Sequence, residues 1–328
     1  MALTTQQILT LLSLKGIGNK KVEVLYRISQ DEKLFFSSSD ELLDFLNYCI
    51  VNKLLPRVKN TFEPFEIDSA YKFAADTINR SADLGISTIS IADSSFPTRL
   101  KNIVDSKGKS ISPLLLYVKG SIDAINLPYA VAIIGTREPS QNGINAGLFF
   151  SKKFAHAGFN IVSGLALGCD TTAHQGALDA KGITTAFVAS GLDQPIYPKE
   201  NSSLAEEILA NGGAIVSEYR IGEPILPQRF VERDRLQSGL ACATIAIQTG
   251  IKGGTLHAVN STLDNGKPLY MIEYKGAELN LDKVQGNIQF LNSGKALPLR
   301  SDNVDVTIDK LLCNSNPLSS IKQPSLFD

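Results

Sequence analysis

The 328-residue chain has no tryptophan, two methionines, three histidines and four cysteines. Cys49, Cys169, Cys242 and Cys313 are scattered and form no Cys-x-x-Cys pair. That spacing offers neither a zinc framework nor a disulfide scaffold, and fits a reduced, cytoplasmic compartment. His156, His174 and His257 stand far apart and no His-Glu-x-x-His is present, so no metal site is expected. The longest apolar runs, such as Tyr129–Ile134, fall far short of the roughly 18 residues a membrane span needs. The start, MALTTQQILTLL, lacks a basic stretch before its apolar one, which argues against a secretory signal. Excess charge of either sign is also missing: 32 Lys and Arg face 33 Asp and Glu, for a net charge of −1. A protein that coats nucleic acid by bulk charge is strongly basic. Any such binding here must come from a local basic pocket. The phosphate-loop pattern GxxxxGK[ST], the dinucleotide pattern GxGxxG and the serine-hydrolase elbow GxSxG are all absent. No cofactor is therefore expected.

What is present is ordinary globular chain, 43% hydrophobic and 20% charged, of a length that fits about two domains. Residues 1–85 predict a small helical domain: Gln6–Leu14, Lys20–Ile28, Ser39–Val51 and Ser69–Leu84 carry apolar residues at spacings of three and four. Residues 86–128 read as a connecting extension with two short extended stretches, Ile86–Ile91 and Leu114–Val118. From Tyr129 short β-branched runs alternate with helical patterns. Continuously apolar strands separated by helices imply a parallel sheet covered on both faces. Residues 129–300 are thus expected to form a Rossmann-like, doubly wound α/β domain. Residues 301–328 predict a helix over Val306–Leu312 and a polar coil over Asn314–Asp328.

In open α/β sheets ligands sit at the carboxyl ends of the strands. Those ends here are rich in glycine, hydroxyls and cations: Gly135-Thr136-Arg137, Ser163-Gly164 and Lys252-Gly253-Gly254-Thr255. Glycines let the backbone approach a ligand, and helix amino ends carry free N–H groups, so these loops predict a phosphate site. Arg229, Arg233 and Arg235 crowd one helical segment after the fourth strand of this domain, with Arg229 and Arg233 on one face. Lys199 opens the helix after the third, where the helix dipole disfavours a cation unless an anion binds. Asp170, one turn before His174, is expected to cap a helix. His257 falls early in a helix near the same rim. Near the amino terminus, Gly16-Ile17-Gly18 with Lys20 and Lys21 joins two helices like a helix-hairpin-helix turn, whose amides hold a nucleic-acid phosphate.

These residues also form an ordered set of blocks. Gly135-Thr136-Arg137 with Pro139-Ser140 and Gly143 comes first. Ser163-Gly164-Leu165-Ala166-Leu167-Gly168-Cys169-Asp170 follows, with Ala173-His174 and Gly176-Ala177-Leu178. Next stand Gly191-Leu192-Asp193 with Ile196-Tyr197-Pro198-Lys199-Glu200-Asn201, and Ser217-Glu218-Tyr219. Phe230, Arg233-Asp234-Arg235 and Ser238-Gly239-Leu240 close the series. The series resembles the DprA/Smf (DNA-processing protein A) family, densely over about residues 129–275. The resemblance implies a Rossmann-like fold that holds single-stranded DNA in a basic rim pocket. It also implies a homodimer that helps load the recombinase RecA, or works with another protein partner, without enzymatic activity. The family's pocket cations fall on Arg137, Lys199, Arg233 and Arg235. Phe230 and Tyr219 are the expected base-stacking residues, though core packing is the expectation Phe230 satisfies more readily.

Some positions depart from the family pattern. Asp234 replaces the usual asparagine, Gln248 a usual glutamate, and Lys252–His257 differs from the usual Arg-Ser-Gly-Ser-Leu. A carboxyl-terminal winged-helix domain is expected to be missing. The chain therefore reads as a divergent branch. One alternative is a regulatory, antitoxin-like or phage-defence protein that binds a nucleotide or a protein partner. A second is a nucleotide phosphoribohydrolase-like enzyme. For that one, Lys252 precedes Gly253-Gly254-Thr255 where proline belongs, Ala258 stands at the catalytic glutamate position, and Glu218 is the strand-end carboxylate left to substitute.

Overall fold

The computed structural model describes residues 3–314. The expected coil after Asn314 lies outside the described residues.

Four helices come first: α1 (Thr5–Ser13), α2 (Asn19–Asp31), α3 (Ser39–Val51) and α4 (Pro64–Asp83). Their starts follow local chemistry. Thr4 Oγ1 accepts the Gln7 N–H while Gln7 Oε1 accepts the Thr4 N–H, a reciprocal capping box. Ser38 caps α3 through the Glu41 N–H. α4 begins at Pro64, ahead of the expected Ser69, because Glu63 and Glu66 form a second box and proline suits the first helical position.

One sheet then runs through the rest of the chain. Its strands are β1 (Ile86–Ser90), β2 (Leu115–Gly120), β3 (Ala130–Ile134), β4 (Asn160–Ser163), β5 (Thr184–Phe187), β6 (Ala214–Ser217), β7 (Ala243–Ala246), β8 (Leu269–Ile272) and β9 (Leu297–Leu299). The order is β1-β2-β6-β5-β4-β3-β7-β8-β9. The run from β6 to β9 is parallel, while β2 joins β6 and β1 joins β2 antiparallel. β3 through β8 are buried along their whole length, as strands covered on both faces must be. The covering helices are α5 (Ile122–Ile125), α6 (Gln141–His156), α7 (Cys169–Asp179), α8 (Ser202–Ala210), α9 (Pro227–Leu240), α10 (Thr255–Asp264), α11 (Gln285–Asn292) and α12 (Val304–Asn314). This is the expected Rossmann-like α/β architecture.

Both extended stretches between residues 86 and 128 are strands of the main sheet. Their side chains share one core with the amino-terminal helices: Ile8, Leu11, Leu25, Leu42 and Leu46 pack in one cluster with Ile89, Leu116, Phe187, Val216, Leu236 and Leu240. α11 and β9, which had no clear periodic signal, complete the far side.

The chain runs β3 to β6 in one direction, then crosses back to place β7 on the other side of β3. That reversal opens a crevice at the carboxyl ends of β3 and β7, the position where doubly wound sheets bind ligands.

Candidate functional site

A cavity of about 620 Å³ occupies the crevice. Its walls are the loop after β3, the loop after β7, one stripe of α9 and the amino end of α10. Gly135, Thr136, Arg137, Arg233, Lys252, Gly253, Gly254 and Thr255 all line it. The sequence-derived phosphate site thus contributes eight residues to one cavity.

α10 starts at Gly254 with no side chain capping its first turn. Gly253 has φ +131°, a conformation that side-chain-bearing residues avoid. The exposed Lys252–Gly254 segment can therefore present free backbone N–H groups and a cation at the same edge. Arg137 is exposed across the cavity, its guanidinium 5.8 Å from the centre of the Phe230 ring. Among the described residues neither Arg137 nor Lys252 forms an ion pair.

The floor is different in character. Arg233 is 6% exposed, its Nη1 3.3 Å from Asp234 Oδ1, and its Nε finds no partner among the described residues. Asp170 is also buried and accepts the Ala166 N–H at 3.3 Å. Burial pushes the Asp170 carboxyl above its ordinary range, with Arg233 opposing. Asp234, largely buried on the same wall, is pushed up to about 6, chiefly by burial; Arg233 opposes this and Asp170 adds to it. Gln237 Nε2 donates to Asp234 Oδ1 at 3.1 Å. One buried guanidinium thus sits between two carboxylates, and the unpaired cations are at the mouth.

A smaller apolar pocket of about 70 Å³ adjoins the cavity. Leu165, Phe187, Ile196, Tyr197 and Phe230 line it, and Arg137, Ala166, Tyr197, Phe230 and Arg233 border both spaces. Tyr197 is 55% exposed with its ring 5.7 Å from that of Phe230. Phe230 is therefore a wall residue rather than a core one. Tyr197 carried no aromatic signal of its own in the sequence, yet it is the second aromatic at the mouth.

Other expected site residues lie elsewhere. Ser163 is fully buried and donates its hydroxyl to the Ile133 carbonyl at 2.6 Å. Gly164 lies beneath Arg233, where a Cβ would run into the guanidinium and the Asp170 carboxylate; it makes room for the floor. Lys199 is exposed just beyond Tyr197 and Pro198, at the edge of the apolar pocket and outside both linings. Arg235 points to the opposite side of α9. Its Nη2 donates to both Glu218 oxygens, at 2.7 and 2.8 Å, and its Nε donates to the Ile111 carbonyl. Glu218 is thereby engaged outside the rim cavity. Tyr219 is on that side too, with Arg229 over its ring at 4.2 Å and its hydroxyl donating to Glu232 at 2.7 Å. Gly16, Gly18 and Lys20 are exposed at the start of α2, while Lys21 Nζ folds back to the Gly16 carbonyl.

One expectation needs correction. Asp170 does not cap α7: Gly168 holds that position, and Asp170 sits within the first turn. His257 sits early in α10, as expected, but is exposed and does not line the cavity. The amino end of α6, which follows the first of the glycine-rich loops, is filled from within. Ser140 caps it, the Ser140 hydroxyl donates to Glu278 Oε2 at 2.8 Å, and Gln248 Nε2 donates to the same carboxylate at 3.2 Å. Glu278 comes from a turn after β8 that carried no motif. His174 is a core residue: Nε2 lies 3.1 Å from the Gly164 carbonyl, Nδ1 2.7 Å from Thr184 Oγ1, and burial lowers its pKa to about 4.

Among the described residues no cluster of His, Cys, Asp and Glu could hold a metal, all four cysteines are free, and no helix is long and apolar enough to cross a membrane.

A doubly wound sheet with a switch-point crevice at the carboxyl ends of its strands defines a Rossmann-like protein. Residues 87–308 match the family model described as DNA recombination-mediator protein A, and the chain belongs to that family. Protein Smf of Escherichia coli is 32% identical over 182 residues, which cover 55% of this chain and 46% of Smf. DNA processing protein DprA of Bacillus subtilis is 31% identical over 207 residues, covering 63% of this chain and 67% of that protein. The match therefore spans about half to two thirds of these relatives. The X-ray structure of DprA from Streptococcus pneumoniae superposes with a TM-score of 0.73 at 24% identity, covering 94% of this chain and 98% of that one; this likeness is one of fold. A Helicobacter pylori DNA processing protein A structure, described for its single-stranded DNA binding mode, has a TM-score of 0.60 at 29% identity and covers 70% of this chain and 96% of that one.

Proposed function

We propose that this protein binds single-stranded DNA at the rim cavity, without regard to base sequence, as part of DNA processing. The observation that carries this reading is the mouth of the cavity. Arg137 and Lys252 are exposed there, without ionic partners among the described residues, beside an uncapped helix end and the Tyr197–Phe230 aromatic pair. A sequence-tolerant single-strand site needs cations and amides for phosphates and aromatic faces for bases. The single-strand binding described for the Helicobacter pylori relative supports the same reading. Lys199, at the edge of the mouth, extends the cationic surface. Homodimerisation and handover of the strand to a recombinase such as RecA belong to the same proposal, on the strength of the family. We read the protein as a binding module rather than an enzyme. The strand-end carboxylate that a hydrolase would need, Glu218, is tied to Arg235.

Fluorescence anisotropy with labelled oligothymidine tests this. Each lost phosphate contact flattens the log–log salt dependence of single-strand affinity by about 0.7. Arg137→Ala with Lys252→Ala should weaken binding at least tenfold at low salt and flatten that dependence by about 1.4. An unchanged affinity and slope in a folded double variant would remove the rim cavity from DNA binding.

A further inference from the structure

A groove of about 410 Å³ runs between α2 and the loop that follows Leu100, and Lys20, Arg27, Lys101 and Lys109 line it. Glu23 is the acidic residue of that lining, and it is engaged by Arg27 at 2.6 Å. Asp105 lies in the same loop and keeps its negative charge: its Oδ1 accepts the Lys107 and Lys109 N–H groups, both at 2.9 Å, while both lysine side chains are exposed. In a chain of net charge −1 this is a strong local excess of positive charge.

Beside it, α2 starts at Gly18 with no side chain capping its first turn, and a Cβ at Gly16 or Gly18 would meet nothing within 4 Å. The turn is open to an outside ligand. Lys20 also lines a neighbouring groove of about 710 Å³ that reaches Gln228, Arg229, Glu232 and Arg235 on α9. The opposite stripe of α9, with Phe230, Val231 and Asp234, walls the rim cavity. α9 and this intervening groove, where Glu23, Glu218, Glu223 and Glu232 balance Lys20, Arg220, Arg229 and Arg235, separate the rim from the α2 groove, and the first turns of α9 are exposed.

We propose that the α2 groove is a second nucleic-acid contact, in which these lysines hold phosphates of a strand that leaves the rim cavity across α9. The proposal rests on the reading of the rim cavity as a single-strand site. The occupant is a phosphate backbone because the groove offers flexible point charges and open backbone amides. It offers no aromatic face, and its one arginine is already paired. Such a set positions a strand without reading its bases.

The test compares short (about 6 nucleotides) and long (about 30 nucleotides) oligothymidine, lengths that bracket one and several single-strand subsites. Lys20→Ala, Lys101→Ala and Lys109→Ala are combined in the full chain, with the thermal midpoint confirming an intact fold. The triple variant should bind the long strand about tenfold more weakly, with a log–log salt slope shallower by about 2, and bind the short strand as wild type does. The corresponding Lys→Arg triple should restore long-strand affinity. If the Ala triple leaves the long-strand slope unchanged while Arg137→Ala with Lys252→Ala abolishes binding, the second contact is overturned and the rim reading stands. If the Ala triple weakens long-strand binding while the rim variant has no effect, the groove holds the strand by itself, the rim reading falls, and the path across α9 falls with it. Capture of polyglutamate but not of the long strand through these lysines would also overturn the proposal.

Discussion

Asp234 is the residue whose chemistry departs most from a plain phosphate site. Its carboxyl, raised to about 6 mainly by burial, is ionised at neutral pH beside Arg233 and Asp170. A carboxylate with a raised folded pKa binds more protons when folded than when unfolded. Stability should therefore increase as pH falls from about 7 towards 4, and Asp234→Asn should raise the thermal midpoint at pH 7 and remove most of that dependence. Anion binding should follow the same direction. Protonating Asp234 removes a negative charge from the cavity wall, so single-strand affinity should tighten as pH falls through about 6. Asp234→Asn should bind more tightly than wild type at pH 8 and show a flatter pH profile, measured by anisotropy at constant ionic strength. An equal affinity of the two proteins at pH 8 would place Asp234 outside the reach of the ligand's charge. The sequence showed that a carboxylate stood among these arginines. It could not show that Arg233 faces the cavity and Arg235 the opposite side, although two residues of separation on a helix do not share a face.

At the scale of elements, α9 is the organising piece. One stripe walls the rim cavity and the other walls the groove towards α2. Its carboxyl end is fixed by Lys267, whose ammonium donates to the Ser238, Gly239 and Ala241 carbonyls at 2.8, 2.6 and 2.8 Å. These are the carbonyls a helix leaves without partners, and burial holds the Lys267 pKa down at about 8. Lys267→Met should cost about 3 kcal/mol, because it leaves buried acceptors unpaired, and should lower the urea midpoint measurably. It should weaken DNA binding only through the position of α9. Helix periodicity predicted α9 well, and α3 to the residue. It gave nothing for α11 or β9, which are short and belong to a stretch rich in turns. The amino end of α6 shows a further limit of local reading. Its motif resembled an anion site, yet the anion is Glu278, brought from 138 residues away along the chain.

At the scale of the whole molecule, the amino-terminal helices are bound to the sheet by a single core. Leu25, Leu42 and Leu46 are fully buried in a cluster that also contains Val216 of β6 and Leu240 of α9. Full burial of such side chains is worth about 1.5–3 kcal/mol each. The full chain should therefore unfold in one calorimetric transition, and removal of residues 1–84 should leave an apolar, poorly soluble sheet face. Two separated transitions would show that the helices form an independent unit. The shared core also fixes the α2 groove relative to the rim, which a flexible linker would not do.

The alternation of apolar strands and helices determined the doubly wound fold by itself, because each pattern has its own period and burial requirement. Glycines and cations at the strand ends pointed to the rim cavity that they line, since doubly wound sheets bind ligands at those ends. The ordered blocks gave the family. Tertiary structure alone decided which of those residues meet. Arg137 and Lys252 face one cavity, Ser163 is an internal hydrogen-bond donor, and Arg235 closes a different contact. Direction around a helix and contacts between distant loops depend on packing across the sheet, and no local stretch of sequence encodes them.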